Sequence, residues 1–203
     1  MIENISKVLN NRQIQRIGQG KEIHSSVLIP LIRNSQGEPE LLFQVRSADL
    51  ADQPGDICFP GGRTEEGESY VETAVREACE ELLITPEQVE ILGPSDELHT
   101  GRLIVHPYAG ILRDYDYSFS RDEVSEVFTV PLQWFLHHEP KRYVMDWKPD
   151  FPEDFPFDKI YGGRNYAWRE RKDTVLFYEY EDRVIWGMTA KMLEAFLGIV
   201  GTG

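Results

Sequence analysis

Three glutamates carry the first chemical signal. Glu77, Glu80 and Glu81 stand at i, i+3 and i+4 within the stretch 59–84, FPGGRTEEGESYVETAVREACEELLI. On a helix advancing about 100° per residue they share one arc. Like charges at that spacing repel by roughly 0.2–0.5 kcal/mol per pair. A sequence chosen only for helix stability would alternate signs there. Clustered carboxylates suit a hard divalent cation such as Mg²⁺ or Mn²⁺, which prefers oxygen ligands.

The neighbouring residues must form the helix and aim it. Ser69 and Glu72 make an S-x-x-E capping box, which predicts a helix start at that point. Val71, Ala74, Val75, Ala78 and Leu82 fall on a second arc, expected to pack inward. Pro86 limits how far the helix can run. Ahead of it, Pro60-Gly61-Gly62 reads as a turn. Its glycines permit positive φ and a close approach of backbone to a metal or phosphate.

Gly62, Glu68, Arg76, Glu77, Glu80, Glu81 and Ile84 match the Nudix hydrolase box position by position. One position departs: Leu83 replaces the final glycine, which would normally serve a left-handed helix end. Leu83 must extend the helix or end it otherwise. Upstream, LLFQVRSADLADQPGDICFPGG resembles the signature of coenzyme A pyrophosphatases through Leu41, Leu42, Arg46, Ser47, Gly55 and Phe59 to Gly62. Phe43 stands in place of a threonine there, and Ala51 in place of a second arginine. The string Trp186-Gly187-Met188-Thr189-Ala190 is similar to that subgroup too. By itself it reads as packing, with an aromatic anchor, a turn glycine and a threonine cap.

The resemblance covers about Ile23 to Gly198. It implies an α/β/α sandwich of the α+β type, with a mixed β-sheet and a loop–helix–loop motif. It also implies that Glu77, Glu80 and Glu81 hold one to three Mg²⁺ or Mn²⁺ ions, helped by the Gly61 carbonyl. Gly62 and Glu68 would be structural, with Glu68 bracing the loop through Arg76. Arg46, Ser47 and Arg76 would contact substrate; a surface strand arginine is the plainer reading of Arg46. The implied reaction splits the diphosphate of coenzyme A or an acyl derivative into 3′,5′-ADP and a 4′-phosphopantetheine. ADP-ribose or another nucleoside diphosphate derivative is the alternative substrate. A catalytically silent ligand-binding module is the alternative of another class, and the intact glutamate set argues against it.

A general base must lie within hydrogen-bond reach of the attacking water. The acidic run from Arg121 offers Glu126 and Glu123, with Glu126 ahead; both also read as solvated loop charges. Residues 141–172 are dense in Pro, Asp and aromatics. They read as an edge strand with an Ω-type loop, ahead of a substrate-covering loop.

Bulk properties narrow the field. The 203 residues carry 35 acidic and 21 basic side chains, a net charge of −14. Without a basic stripe, nucleic acid is not an expected partner. No apolar run reaches membrane length. The first residues lack the apolar core of a secretory signal, and Cys58 and Cys79 do not suggest a disulfide framework, so a cytoplasmic location is expected. Residues 1–22 read as a short helix, with Ile2, Ile5, Val8 and Leu9 at helical spacing, and a connector. Residues 23–203 read as one domain, with strands at 23–33, 41–46 and 103–112 and a closing helix from 187. The sequence admits a homodimer.

Overall fold

The computed structural model describes residues 21–201. The helix expected at the N-terminus lies outside the described residues, apart from the connector positions Lys21 and Glu22. In chain order the elements are β1 (Ile23–Arg33), β2 (Pro39–Arg46), β3 (Ile57–Cys58), β4 (Gly61–Arg63), α1 (Tyr70–Leu82), β5 (Val89–Pro94), β6 (Leu98–Thr100), β7 (Leu103–Leu112), β8 (Val124–Pro131), α2 (Leu132–His137), β9 (Lys141–Trp147), β10 (Arg171–Tyr180), β11 (Arg183–Trp186) and α3 (Gly187–Val200). No helix among the described residues is long and apolar enough to cross a membrane.

The central strand is β1. It pairs in parallel with β7, from Ile23 opposite Leu103 to Leu31 opposite Ile111. Every other pairing in this eight-stranded sheet is antiparallel, so the sheet is mixed. The other edge of β1 is shared. β2 holds its Leu31 end, while β4 holds Ser25 to Val27. β2 then leaves β1 and runs between β8 and β3. The Pro-Gly-Gly turn is thereby built into the sheet, where β1 and β2 part.

Side-chain alternation assigns the faces. Leu28, Ile32 and Leu42 pack with Ala78 and Leu82 of α1. Ile29, Leu31, Leu41 and Phe43 face the other way, toward Phe135 of α2, Leu193 and Phe196 of α3, and Leu176, Tyr178 and Ile185 of a second, three-stranded sheet ordered β11-β10-β9. Helices thus cover both faces of the mixed sheet. Burying a side chain such as Leu82, which is fully enclosed, contributes roughly 1.5–3 kcal/mol.

The inward face of α1 differs from the expected arc. Thr73, Ala74, Ala78, Glu81 and Leu82 are buried, while Val71 and Val75 are half-buried. The helix is rolled toward its glutamates because polar anchors on that side, Thr73 to Glu68 and Glu81 to the glycine turn, draw it in. In α3, Val200 is exposed in the last turn rather than inward. Thr189 does not cap this helix; its hydroxyl donates to the Ile57 carbonyl at 3.1 Å and ties α3 to β3. Residues 141–172 supply the edge strand β9, then a loop whose Phe151, Phe155, Phe157 and Trp168 rings pack on one another at 4.7–5.9 Å.

Candidate active site

The helix that carries the glutamates is closed at both ends by its own residues. Ser69 caps it: its hydroxyl accepts from the Glu72 N–H, and the Glu72 carboxylate accepts from the Ser69 N–H at 2.8 Å. At the far end Leu83 itself adopts the left-handed conformation, φ 52° and ψ 41°. The helix therefore stops where a glycine would have stopped it, despite the side chain.

Arg76 organises the loop ahead of the helix. Its Nε and Nη2 donate to the two Glu68 oxygens at 2.9 and 3.1 Å, and Nη2 also donates to the Arg63 carbonyl. Thr73 donates a further bond to Glu68. These donors, Arg76 first, hold the Glu68 carboxyl down at about 2. The remaining Arg76 nitrogen, Nη1, donates to Glu77 at 2.8 Å and to Glu80 at 3.4 Å. All three guanidinium nitrogens are therefore occupied within the motif. In this arrangement Arg76, expected to contact substrate, braces the motif.

Glu81 lies deepest, with 3 % of its surface exposed. Its Oε2 accepts from the Gly61 N–H and from Gln44 Nε2, both at 2.9 Å. Burial pushes its carboxyl up to about 7, against those two bonds. Glu77 is also raised by burial, with Arg76 opposing. It lies against the glycine turn so closely that a Cβ on Gly62 would sit 2.3 Å from its carboxyl carbon. A Cβ on Gly61 would sit 2.4 Å from the Ser26 carbonyl of β1. Both glycines are thus required by close approach, not by positive φ.

The donor set suits a hard divalent cation. It consists of carboxylate oxygens, Glu81 buried and Glu77 half-buried, where ionisation is costly and a neighbouring positive charge would offset that cost. Glu77 Oε2 and Glu81 Oε1 accept no hydrogen bond among the described residues. Beside them Gln44 Oε1 is buried with no partner. The three carboxylates do not form a closed ligand set as they stand. Among the described residues no group of three His, Cys, Asp or Glu side chains is positioned to hold a metal. Glu77 and Glu81 point inward, whereas the Glu80 side chain is 57 % exposed and leans on Arg76.

The two base candidates separate clearly. Glu126 is gripped by Arg183, Nη1 to Oε2 at 2.7 Å and Nη2 to Oε1 at 2.6 Å, and Arg183 also lies over the Phe128 ring. Both Glu126 oxygens are taken. Glu123 is exposed, and its charge contributes to raising both Glu77 and Glu81. Glu126, expected ahead of Glu123, is the one of the two that is paired with an arginine among the described residues.

Arg46 and Ser47 follow β2. The Arg46 guanidinium donates to the Asp52 carbonyl and borders a cavity of about 580 Å³. Ser47 does not reach that cavity. It is buried, its hydroxyl accepts from the Asp49 N–H, and its own N–H donates to the Glu123 carbonyl. Ser47, expected to contact substrate, here holds the turn. The cavity runs from Gly61 and Gly62 past Cys58 and Val27 to Trp186, Met188 and Met192. Burial pushes the Cys58 thiol up to about 11, so it is a neutral apolar wall. Gln44, Cys58 and the two methionines were not singled out as site residues. The one signal was Gln44, a lone amide interrupting the apolar run of β2.

Residues 22–155 match the family model for the NUDIX domain. Over 173 residues the chain is 36% identical to an uncharacterized Nudix hydrolase, NudL, of Escherichia coli O7:K1, covering 83% of this chain and 78% of the relative. Over 118 residues it is 41% identical to the peroxisomal coenzyme A diphosphatase NUDT7 of Mus musculus, covering 55% of this chain and 48% of that protein. Among solved structures, a MutT/nudix family protein from Enterococcus faecalis superposes with a TM-score of 0.52 at 13% identity, over 98% of this chain and 70% of that one. That last likeness concerns the fold alone.

Proposed function

The chain belongs to the Nudix hydrolase family, and on that premise we propose that it splits the diphosphate of coenzyme A or an acyl-coenzyme A into 3′,5′-ADP and a 4′-phosphopantetheine. The observation that carries this reading is the cavity lying directly on the Gly61–Gly62 turn. One end abuts the loop that fixes Glu77 and Glu81. The other is walled by Val27, Cys58, Met188 and Met192, with Arg46 at its border. A substrate with a diphosphate beside a long, weakly polar arm fits that gradient, and methionines adapt to such arms. The partial match to the mouse coenzyme A diphosphatase supports the same substrate.

Nudix hydrolases use divalent metal ions, and Glu77, Glu80, Glu81 and the Gly61 carbonyl are the groups that would hold Mg²⁺ or Mn²⁺ here. Such an ion supplies charge neutralisation at the diphosphate and a more acidic bound water. The chain's own contribution is positioning. The Gly61 N–H and Gln44 fix Glu81, Arg76 fixes Glu77 and Glu80, and Glu68 fixes Arg76. Glu123 is the proposed base, since Glu126 is committed to Arg183.

The test is release of phosphomonoesters from coenzyme A, ADP-ribose and FAD, with and without Mg²⁺ or Mn²⁺. Metal-dependent cleavage of coenzyme A above the others is expected. Preference for ADP-ribose would overturn the substrate. Cleavage of none would favour a ligand-binding module.

A further inference from the structure

We propose that the chain forms a two-fold symmetric dimer through β9, joining two three-stranded sheets into one of six strands. Among the described residues β9 is the outer strand of its sheet, pairing with β10 on one side only. All seven of its residues are exposed, among them Tyr143, Val144, Met145 and Trp147. An unpaired strand presents a row of backbone donors and acceptors, and proteins usually blunt such an edge with prolines, bulges, brevity or charged side chains; the charges of β9 are Lys141, Arg142 and Asp146, which flank an uncharged centre, Tyr143 to Met145. β9 has no proline, and its pairing with β10 runs without a register shift.

Its sequence, KRYVMDW, is complementary to itself. A two-fold axis normal to the sheet keeps each side chain on its own face, so paired residue numbers must add to an even sum. With the axis through Val144, all seven residues find a partner in the second copy. Arg142 then lies opposite Asp146, twice, as an opposite-charge cross-strand pair. Lys141 lies opposite Trp147 as a cation–π pair. Tyr143 lies opposite Met145 as a sulfur–aromatic pair. Moving the axis one residue either way removes both charge pairs and strands one end of the strand. The same strand also meets the body of the protein through Tyr143, whose ring packs on Phe177, which stacks on Trp186.

The occupant is therefore a second copy of this chain, and the charges define the test. Sedimentation velocity on the full chain at micromolar concentration should give twice the chain mass. Arg142→Asp would face Asp146, and Asp146→Arg would face Arg142. Each should weaken the dimer by about tenfold or more, because two like-charge pairs replace two attractive ones. The double variant Arg142→Asp/Asp146→Arg should restore it. That recovery separates pairing across the axis from damage within one chain, where Arg142 also meets Glu194 and Asp146 meets Lys172. Val144→Glu, at an exposed position on the axis, should give a folded monomer. A monomeric wild-type chain, or a dimer indifferent to all four variants, would overturn the proposal. So would a double variant no better than the singles.

Discussion

The Gly61 backbone N–H donates to Glu81 Oε2 at 2.9 Å, tying the glycine turn to the most buried carboxylate of the helix. Gln44 donates to the same oxygen, so Glu81 is fixed in place while its other oxygen has no hydrogen-bond partner among the described residues. Replacing it with glutamine keeps an acceptor for Gly61 but removes the charge. Turnover in the Glu81→Gln variant should fall by on the order of a hundredfold or more, the scale of several kcal/mol of lost electrostatic stabilisation. Circular dichroism should be unchanged. Near-normal turnover at saturating Mg²⁺ would remove Glu81 from the mechanism.

Acidity gives a second handle on the same residue. In the folded chain the Glu81 carboxyl keeps its proton up to about pH 7, against an ordinary value of 4.5. Between those limits the folded state holds more protons than the unfolded state. Its stability contribution is therefore favourable at the acid end and is lost as pH rises through the window. Urea denaturation in a chelating buffer should show that decline, and Glu81→Gln should flatten it.

Glycine replacements should separate geometry from folding. Gly61→Ala forces a methyl against the β1 backbone, which cannot yield, and should destabilise the fold by roughly 1–3 kcal/mol. Gly62→Ala collides instead with the Glu77 side chain, which can swing away. That variant should melt near the wild type yet lose most activity. Equal melting losses in both would contradict this contrast.

Glu126 and Glu123 should behave differently. Glu126 is a partly exposed ion-pair partner, so Glu126→Gln should cost about 0.5–1 kcal/mol of stability and leave kcat nearly intact. Glu123→Gln should melt normally and lower kcat. The opposite pattern would restore Glu126 as the base.

Leu83 occupies a conformation that disfavours L side chains, and it is mostly exposed. Leu83→Gly should raise stability by about 1 kcal/mol, the scale of the relieved left-handed penalty. A lowered melting temperature would mean that its side chain packs more than its exposure suggests.

Much of this was readable from residue order alone. The bounds of β1 and β7 follow from apolar runs closed by turn residues. The capping box fixed the start of α1, and the spacing of Glu77, Glu80 and Glu81 marked the chemistry. What could not be read depends on partners remote in the chain. Nothing near Glu126 announces Arg183, 57 positions later. The roll of α1 is set by Thr73 and Glu81 finding polar anchors, which outweighs the half-burial of Val71 and Val75. Ser47 looked available because burial of a turn hydroxyl leaves no local trace.

The parallel match of Ile23 with Leu103 means that the bed beneath α1 is assembled from ribbons eighty positions apart. Loop closure over that span is slow compared with forming a helix or a hairpin. A fragment ending soon after residue 84 would hold every acidic ligand candidate of the box and still lack β7, which pairs with β1 beneath α1, and Ser120, whose N–H donates to the Glu81 carbonyl. Such a peptide should show ordinary carboxyl acidity and weak cation retention. The box is thus written in one short segment but becomes competent only after the chain has doubled back on its own beginning.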